Sequence, residues 1–362
     1  MMKIVTILGT RPEIIKLSPL IQLLDKEFEH IIVHTGQHYS YQMDKIFFEE
    51  LDLRDCDYML NVGSGTHAQQ TALMMIKIEK VLIREKPDIV LVQGDTNSTL
   101  AGAITASKIN IDVAHVEAGC RSFDKNMPEE INRIIVDHCS NFLFAPDNEA
   151  FNNLINEGIN QNKIYIAGNT SIDACIRITE LSRNEILKKF DLRENEYVLL
   201  TLHRQENTEY KRLKGILEAI NDISKKIKIV FPIHFRTKKV IDKYNIKLSE
   251  NIFLTPPLGY RDFIRLLSNS KFVMTDSGGI QEESAVLNVP CLILRDNTEW
   301  SYLIDVGKNM LIGTSYEKIF KKIDEILCDE KLIKKMINIR VPVKVGASKK
   351  IVNILKKVNN NL

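Results

Sequence analysis

The residues Lys3–Lys16 read KIVTILGTRPEIIK. Within this stretch, Ile4–Leu8 form a short, mostly β-branched apolar run, which is the pattern of a strand buried on both faces. Pro12 follows closely, and proline suits the first turn of a helix because its missing N–H group would have no partner there. The helical spacing that continues to Lys26 predicts this helix. A buried strand followed at once by a helix indicates the opening unit of a parallel α/β sheet.

The same alternation recurs along the whole chain. The first set of predicted strands comprises Ile4–Leu8, His30–His34, Asp88–Gln93, Asp112–Val116, Asn141–Ala145 and Lys163–Ala167. The second set comprises Tyr197–Leu202, Lys228–Ile233, Asn251–Thr255, Lys271–Thr275, Pro290–Leu294 and Met310–Gly313. Because parallel strands are joined by crossover helices, we expect an α/β protein with two doubly wound, Rossmann-like domains facing a cleft. We assign residues 1–170 to the N-terminal domain and 171–345 to the C-terminal domain. Residues 346–362 contain an amphipathic helix, SKKIVNILKKV, whose docking partner the sequence does not reveal.

Composition excludes several classes of protein. The chain has 362 residues, 44% hydrophobic and 27% charged, with a net charge of +2, which is ordinary globular composition and lacks the basic excess of nucleic-acid binders. Its 6 cysteines form no CxxC pair, and there is no HExxH metal pair or Walker sequence, so we expect no metal and no cofactor. Gly63–Ala68 loosely fits a dinucleotide fingerprint but lies far from the first strand–helix turn. No apolar window reaches the ~18 residues of a membrane span, and we expect a soluble, cytoplasmic protein.

Charged side chains follow three strands of the N-terminal set, and the carboxyl ends of such strands are where α/β proteins bind ligands. These residues are Arg11, Lys16, Asp95, Glu117, Glu129 and Arg133. Closely placed carboxylates in a cleft split their pKa values, which points to acid–base chemistry. Helix capping is the competing interpretation for Asp95 or Glu129 taken alone. Arg133, four residues after Glu129, is expected on the same helix face.

The strands of the C-terminal set are followed by residues of a different chemical type. His203 and His234 end two strands, and Asp276–Gly279 join a third strand to a helix. Two glycines at a strand-to-helix turn let backbone amides approach a phosphate, so this turn predicts a pyrophosphate site. Glu282 or Glu283, one turn into the helix, offers a carboxylate for ribose hydroxyls.

Several long motifs occur in an order that resembles the non-hydrolysing UDP-N-acetylglucosamine 2-epimerases, from about Met2 to Gly313. The motifs are GTRPEIIK, TGQH, QGDTNST, HVEAG, PEEINR, GNTSIDA, HRQEN and TDSGGIQEE. The resemblance implies the two-domain GT-B architecture, a UDP-sugar substrate, no redox cofactor and a homodimer. It also implies a reaction that interconverts UDP-N-acetylglucosamine and UDP-N-acetylmannosamine for cell-surface polysaccharide synthesis.

The resemblance carries site residues over position by position. The catalytic candidates are Lys16, Asp95, Glu117, Glu129 and His203. The substrate-binding candidates are Arg11, Arg133, His234, Phe263, Ser277, Gly278, Gly279 and Glu283. Of these, the contact between Phe263 and uracil comes from the family alone. The N-terminal domain would then act on the sugar, and the C-terminal domain would bind UDP.

The family reaction explains these residue types. Carbon 2 of the sugar is not next to a carbonyl, so its proton is too weakly acidic for simple removal. The family instead eliminates UDP to a 2-acetamidoglucal and adds it back with protonation from the opposite face. This route needs an acid and a base on opposite faces and cations on the leaving diphosphate. The sequence does not assign the faces among Asp95, Glu117 and Glu129.

One departure from the family keeps other substrates open. Family members that act on UDP-N-acetylglucosamine usually read TERPE where this chain reads Thr298-Glu299-Trp300, so tryptophan replaces an arginine. Relatives that epimerise UDP-2,3-diacetamido-2,3-dideoxyglucuronate have TEW here, and Arg204 or Arg236 could pair with such an acidic sugar. A GT-B UDP-sugar glycosyltransferase, a hydrolysing epimerase and a non-catalytic UDP-sugar sensor are further alternatives.

Overall fold

The fold is that of a computed structural model, which describes residues 1–37, 47–181, 184–298, 300–339, 341 and 345–359. Two residues of the motifs above, His38 in TGQH and Glu299 before Trp300, lie outside the described residues.

Within that part of the chain, the first sheet is wholly parallel. Its strands are β1 (Lys3–Leu8), β2 (Glu29–His34), β3 (Tyr58–Met59), β4 (Ile89–Gln93), β5 (Asp112–Val116), β6 (Phe142–Ala145) and β7 (Ile164–Ile166). The helices that accompany them are α1 (Arg11–Glu27), α2 (His67–Glu85), α3 (Asn97–Lys108), α4 (Pro128–Cys139), α5 (Asn148–Asn156) and α6 (Thr170–Leu181). The strand order is β3-β2-β1-β4-β5-β6-β7. This order reverses between β1 and β4, and such a switch point is where open α/β sheets bind ligands.

The second sheet repeats this plan. Its strands are β8 (Tyr197–Thr201), β9 (Lys228–Pro232), β10 (Ile252–Thr255), β11 (Phe272–Thr275), β12 (Cys291–Ile293) and β13 (Asn309–Leu311). The remaining helices are α7 (Glu185–Lys189), α8 (Tyr210–Ser224), α9 (Phe235–Lys243), α10 (Tyr260–Ser268), α11 (Gly278–Val286), α12 (Ser301–Asp305), α13 (Tyr316–Cys328), α14 (Lys331–Asn338) and α15 (Ala347–Asn359). The order β10-β9-β8-β11-β12-β13 places the switch point between β8 and β11. The prediction of two doubly wound parallel sheets is confirmed.

The central strands of both sheets are buried on both faces, as parallel pairing requires. All residues of β4 and of β8 are buried, as expected for strands covered by helices on both faces. Among the described residues, no helix combines the length and hydropathy needed to cross a membrane, and no group of three His, Cys, Asp or Glu side chains is arranged to hold a metal ion.

The chain divides into two compact units. The first unit comprises Met1–Arg177 and Lys344–Leu362, and the second comprises Ile178–Val343. This division falls seven residues after the predicted boundary at residue 170, because the first part of α6 packs with the first unit.

The C-terminal helix α15 packs against α1 and so belongs to the first unit. Asp173 on α6 anchors its start by accepting hydrogen bonds from the amides of Gly346 and Ser348, each at 2.7 Å. Lys356 forms an ion pair with Glu27 at 2.5 Å near the end of α1. The docking partner that the sequence left open is therefore the opening helix of the chain.

Candidate active site

Glu117 lies just beyond β5 and is held by two side chains from neighbouring elements. Lys16 on α1 approaches its carboxylate oxygens at 2.7 and 2.9 Å, and Gln93 at the end of β4 donates a hydrogen bond at 2.5 Å. The backbone of Glu117 has φ +71°, a left-handed conformation that is costly for a residue with a side chain. The sequence predicted that Lys16 and Glu117 lie at the same sheet edge, and the structure brings them into direct contact. It did not single out Gln93, although this residue precedes Asp95 at the end of the same strand.

Asp95 lies in the loop after β4 and pairs with Arg133 of α4. The guanidinium of Arg133 lies 2.5 Å from Asp95 and 2.8 Å from Glu130. Glu130 is buried and also accepts hydrogen bonds from the amides of Ser122 and Phe123. Burial opposes ionisation of Glu130, but these amides and Arg133 lower its pKa below the usual value. Asp95 and Glu130 thus hold Arg133 between two anions.

Glu129, the residue chosen from sequence, is exposed on α4. The partner of Arg133 on its own helix is Glu130, three residues away, rather than the expected Glu129, four residues away. Both spacings place side chains on one helix face, and the hydrogen bonds that the amides of Ser122 and Phe123 donate to Glu130 hold this carboxylate beside Arg133. No contact between Glu129 and the other candidates is seen among the described residues.

A buried pair beneath the loops was missed by the sequence analysis. His115 in β5 and Asp137 in α4 approach to 2.6 Å, and both are buried. The second ring nitrogen of His115 lies 2.8 Å from the carbonyl oxygen of Gly94, and Asp137 accepts a hydrogen bond from the amide of Gly119 at 3.1 Å. The pair therefore connects the loop that carries Asp95 to the loop that follows Glu117.

Asp137 is stabilised as an anion within this network. Burial alone would raise its pKa, but His115 and Arg121 lower the pKa below the usual value for aspartate. Arg121 contributes a salt bridge at 2.7 Å. The only sequence signal for this pair is a histidine inside a buried strand, which does not identify a partner 22 residues away.

Arg11 is exposed at the start of α1. Its guanidinium carbon lies 4.6 Å from the centre of the Phe47 ring, within the range of a cation–π interaction. The sequence placed Arg11 at the turn after the first strand, which is where it lies.

In the second unit, His203 and Asp276 meet at the switch point between β8 and β11. Nδ1 of His203 lies 3.1 Å from Asp276, which is fully buried and accepts hydrogen bonds from the amides of His203 and Arg204 at 3.0 Å. Asn207 donates a further hydrogen bond at 3.1 Å. Burial opposes ionisation of Asp276, but His203 and the amides lower its pKa. The sequence treated Asp276 only as part of a turn, whereas the structure shows that it orients His203.

His234 lies beside His203, with ring centres 5.7 Å apart. It is also the N-cap of α9, because its Nδ1 accepts a hydrogen bond from the amide of Arg236 at 3.3 Å. Burial lowers the pKa of His234, and the neighbouring His203 and Arg236 lower it further. The histidine therefore has a structural role as a cap as well as a place near the predicted phosphate site.

The turn Ser277–Gly279 opens α11, as predicted. No side chain caps this helix start, and a Cβ atom added at Gly279 would meet open space. Uncapped amides at a helix N-terminus, together with the helix dipole, favour an anionic ligand. Ser277 itself donates its amide hydrogen to the hydroxyl of Thr275 at 2.9 Å.

Two helices provide the remaining candidates of the second unit. Glu283 on α11 accepts a hydrogen bond from the hydroxyl of Tyr260 on α10 at 2.9 Å, a partner that the sequence analysis missed. Phe263 lies three residues after Tyr260 on the same helix and is half-buried. Trp300 is half-buried, and its indole N–H group is buried without a hydrogen-bond partner among the described residues.

These features define an α/β protein of two Rossmann-like units, each with charged side chains gathered where its strand order reverses. The chain belongs to the UDP-N-acetylglucosamine 2-epimerase family, whose model matches residues 22–356. The resemblance drawn from the motifs is confirmed.

Individual relatives cover nearly the whole chain. The chain is 52% identical over 338 residues to UDP-N-acetylglucosamine 2-epimerase of Methanocaldococcus jannaschii, covering 90% of this chain and 92% of that protein. It is 43% identical over 324 residues to UDP-2,3-diacetamido-2,3-dideoxy-D-glucuronate 2-epimerase of Pseudomonas aeruginosa, covering 88% and 90%. The crystal structure of the M. jannaschii enzyme in complex with UDP-GlcNAc and UDP aligns with a TM-score of 0.81 at 49% identity, covering 98% of this chain and all of that one.

Proposed function

We propose that this protein is an isomerase that interconverts UDP-N-acetylglucosamine and UDP-N-acetylmannosamine without hydrolysing them. The observation that carries the proposal is the pair of carboxylates at one sheet edge, Glu117 bound to Lys16 and Asp95 bound to Arg133. Two carboxyl groups beside two cations supply the proton-transfer groups and the anion stabilisation that an elimination requires. A relative at 52% identity that carries this name supports the substrate.

The reaction would run through an elimination that conserves every atom. A carboxylate removes the proton from carbon 2, the C–H electron pair forms the C1–C2 double bond, and the C1–O bond breaks to release UDP. The reverse addition, with protonation of carbon 2 from the opposite face, yields the epimer. Asp95 and Glu117 are our candidates for the two faces. Glu129, which the family resemblance includes, is a third candidate.

The second unit would bind the UDP portion. The uncapped amides of Gly278 and Gly279, with Ser277, suit the diphosphate, and Glu283 suits the ribose hydroxyls. His203, oriented by Asp276, and the adjacent His234 would lie near the phosphates. Phe263 would border the uracil, as the family resemblance implies.

Incubation with UDP-N-acetylglucosamine in heavy water, followed by NMR of the sugar, tests this proposal. We expect deuterium at carbon 2 in an equilibrium mixture of both UDP-sugars. Free N-acetylmannosamine would instead indicate a hydrolysing epimerase. Absence of deuterium from carbon 2 would contradict the proposal and favour a glycosyltransferase or a UDP-sugar sensor.

A second candidate substrate is UDP-2,3-diacetamido-2,3-dideoxyglucuronate. Trp300 supports it, because tryptophan stands where family members that act on UDP-N-acetylglucosamine usually have arginine, and 43% identity to an enzyme of that name adds to the support. Arg236, exposed in the first turn of α9, is a candidate partner for the sugar carboxylate. Comparing kcat/KM for the two UDP-sugars decides between them, and conversion of the uronate alone would replace our first proposal with this one.

We further propose that the protein is a cytoplasmic homodimer that supplies cell-surface polysaccharide synthesis. Helices α2 and α4 both pack against α3 and expose apolar side chains at Leu73, Ile76, Ile83 and Ile131. A second copy covering this surface would remove it from water. Sedimentation equilibrium should therefore give a dimer for the wild type and for Leu254→Glu, an exposed apolar site of the second unit, but a monomer for Ile76→Glu. A monomeric wild type would contradict the dimer.

A further inference from the structure

Glu13 is a buried carboxylate that the proposed reaction does not use. It lies on α1 between Arg11 and Lys16 and is only 1% exposed. One of its oxygens, Oε2, accepts hydrogen bonds from the amide of Gly9 at 2.9 Å and from the hydroxyl of Thr10 at 2.8 Å. Both donors belong to the turn between β1 and α1, the turn that also carries Arg11.

The other oxygen of Glu13 binds a different loop. Oε1 accepts hydrogen bonds from the hydroxyls of Thr96 at 2.8 Å and Thr99 at 3.0 Å. Thr96 is the N-cap of α3 and directly follows Asp95. A single carboxylate therefore joins the turn after β1 to the loop after β4, the two loops at the switch point of the first sheet.

Helix capping does not account for this arrangement. A glutamate in the first turn of α1 needs only Gly9 and Thr10 to act as a cap or dipole partner. The contacts to Thr96 and Thr99 come from another helix, more than 80 residues along the chain. Burial raises the pKa of Glu13, and the hydrogen bonds from Thr96, Thr10 and Gly9 offset the rise only in part. Burying the Glu13 carboxylate therefore costs free energy, and the hydrogen-bond donors that surround it come from both loops.

We propose that Glu13 is a positioning residue that holds Arg11 and Asp95 in register by bonding the turn Gly9–Thr10 to the loop Thr96–Thr99. It touches neither the sugar nor UDP in this scheme. Its kinetic consequence rests on the proposed function, since Asp95 and Arg11 matter to the rate only if they act on a UDP-sugar.

Glu13→Gln is the central test, because glutamine keeps the shape but turns an NH2 group toward two donors. We expect kcat to fall on the order of 10²-fold with little change in KM, as for a small displacement of reacting groups. Hydrogen–deuterium exchange should rise in both residues 9–11 and residues 94–99. Asp173→Asn is the matched control: it removes a buried carboxylate of the same unit that accepts two amides, and it should leave kcat and exchange at 94–99 unchanged.

A double-mutant cycle tests whether the link itself matters. Thr96→Val removes one of the hydroxyl donors to Glu13. We expect this change to lower kcat when Glu13 is present and to lower it less in the Glu13→Gln background. If Glu13→Gln fails to fold, Thr96→Val carries the test: raised hydrogen exchange at residues 9–11, across the carboxylate, supports the proposal, and unchanged exchange there overturns it. Full kcat in a folded Glu13→Gln variant would also overturn it. If the wild type epimerises no UDP-sugar, the proposed function fails. Hydrogen exchange would then still test whether Glu13 links the two loops.

Discussion

Glu117 combines an uncommon backbone conformation with two strong side-chain contacts. A residue with φ +71° is held there by its surroundings, and Lys16 and Gln93 fix the carboxylate at 2.7 and 2.5 Å. Strain of this kind, on the order of 1–3 kcal/mol, persists where the surrounding structure over-determines it and is frequent at active sites. The side chain is therefore pre-organised for its proposed proton transfer.

Substituting this carboxylate separates chemistry from binding. Glu117→Gln keeps the size of the side chain but removes its basicity, so we expect deuterium exchange at carbon 2 to fall on the order of 10²–10⁴-fold. UDP affinity, measured by calorimetry, should not change, because Glu117 is assigned to the proton on carbon 2 and not to a contact with UDP. Glu27→Gln, which breaks the surface pair with Lys356, is the control and should retain exchange. Unchanged exchange in Glu117→Gln would remove this residue from the mechanism.

The charge of Asp276 makes the free energy of unfolding depend on pH. Its pKa in the folded protein lies below the unfolded value, so its charge stabilises the fold above the unfolded pKa of about 3.9. This contribution is lost as the pH falls through the folded pKa. We expect Asp276→Asn to lower the free energy of unfolding by about 1–3 kcal/mol at pH 7, and the difference from wild type to shrink below about pH 4.

Denaturant unfolding of both proteins at several pH values measures this difference. Asp296→Asn is the matched control, because Asp296 is largely exposed in its pair with Arg212 and should show little effect at any pH. A difference for Asp276→Asn that stays constant down to pH 3 would show that the carboxylate charge does not stabilise the fold.

At the scale of elements, the loop after β5 depends on a glycine. Gly119 has φ +81°, and a Cβ atom there would lie 2.2 Å from the carbonyl oxygen of Ala150 on α5. We expect Gly119→Ala to lower the free energy of unfolding by more than about 2 kcal/mol, because the helix must shift away. Gly158→Ala is the control: its φ is +83° but its Cβ would meet no atom within 4 Å, so its cost should be only about 1 kcal/mol. Equal losses in thermal or denaturant unfolding would rule out the clash.

At the scale of the whole molecule, the last helix of the chain packs against the first. Helix α15 packs on α1, and its residues Ile351 and Leu355 are fully buried. We expect Leu355→Ala to destabilise the first unit by about 2–5 kcal/mol, as for other buried leucines. Hydrogen exchange should rise in peptides of α1 and not in peptides of β8–β13. Asn353→Ala, on the exposed side of α15, should change neither, and equal loosening of both units would contradict this division.

The sequence by itself determined both sets of strands apart from the two-residue β3, the class of sheet, the family and most residues at the strand ends. These follow from short-range patterns: β-branched runs separated by helical spacing, proline and glycine at turns, and motifs that are contiguous in the chain. The positions of Lys16, Asp95 and Glu117 at one sheet edge follow from the same patterns, since parallel strands end side by side.

Only the tertiary structure decided which side chains pair. It selected Glu130 rather than Glu129 for Arg133, joined His115 to Asp137, and placed α15 on α1. It also surrounded Glu13 with donors from two distant loops. Hydrogen bonds and ion pairs require atoms within about 3 Å, and that separation depends on how helices pack on the sheets rather than on local spacing. Periodicity can show which face of a helix is buried, but packing determines which side chain contacts that face.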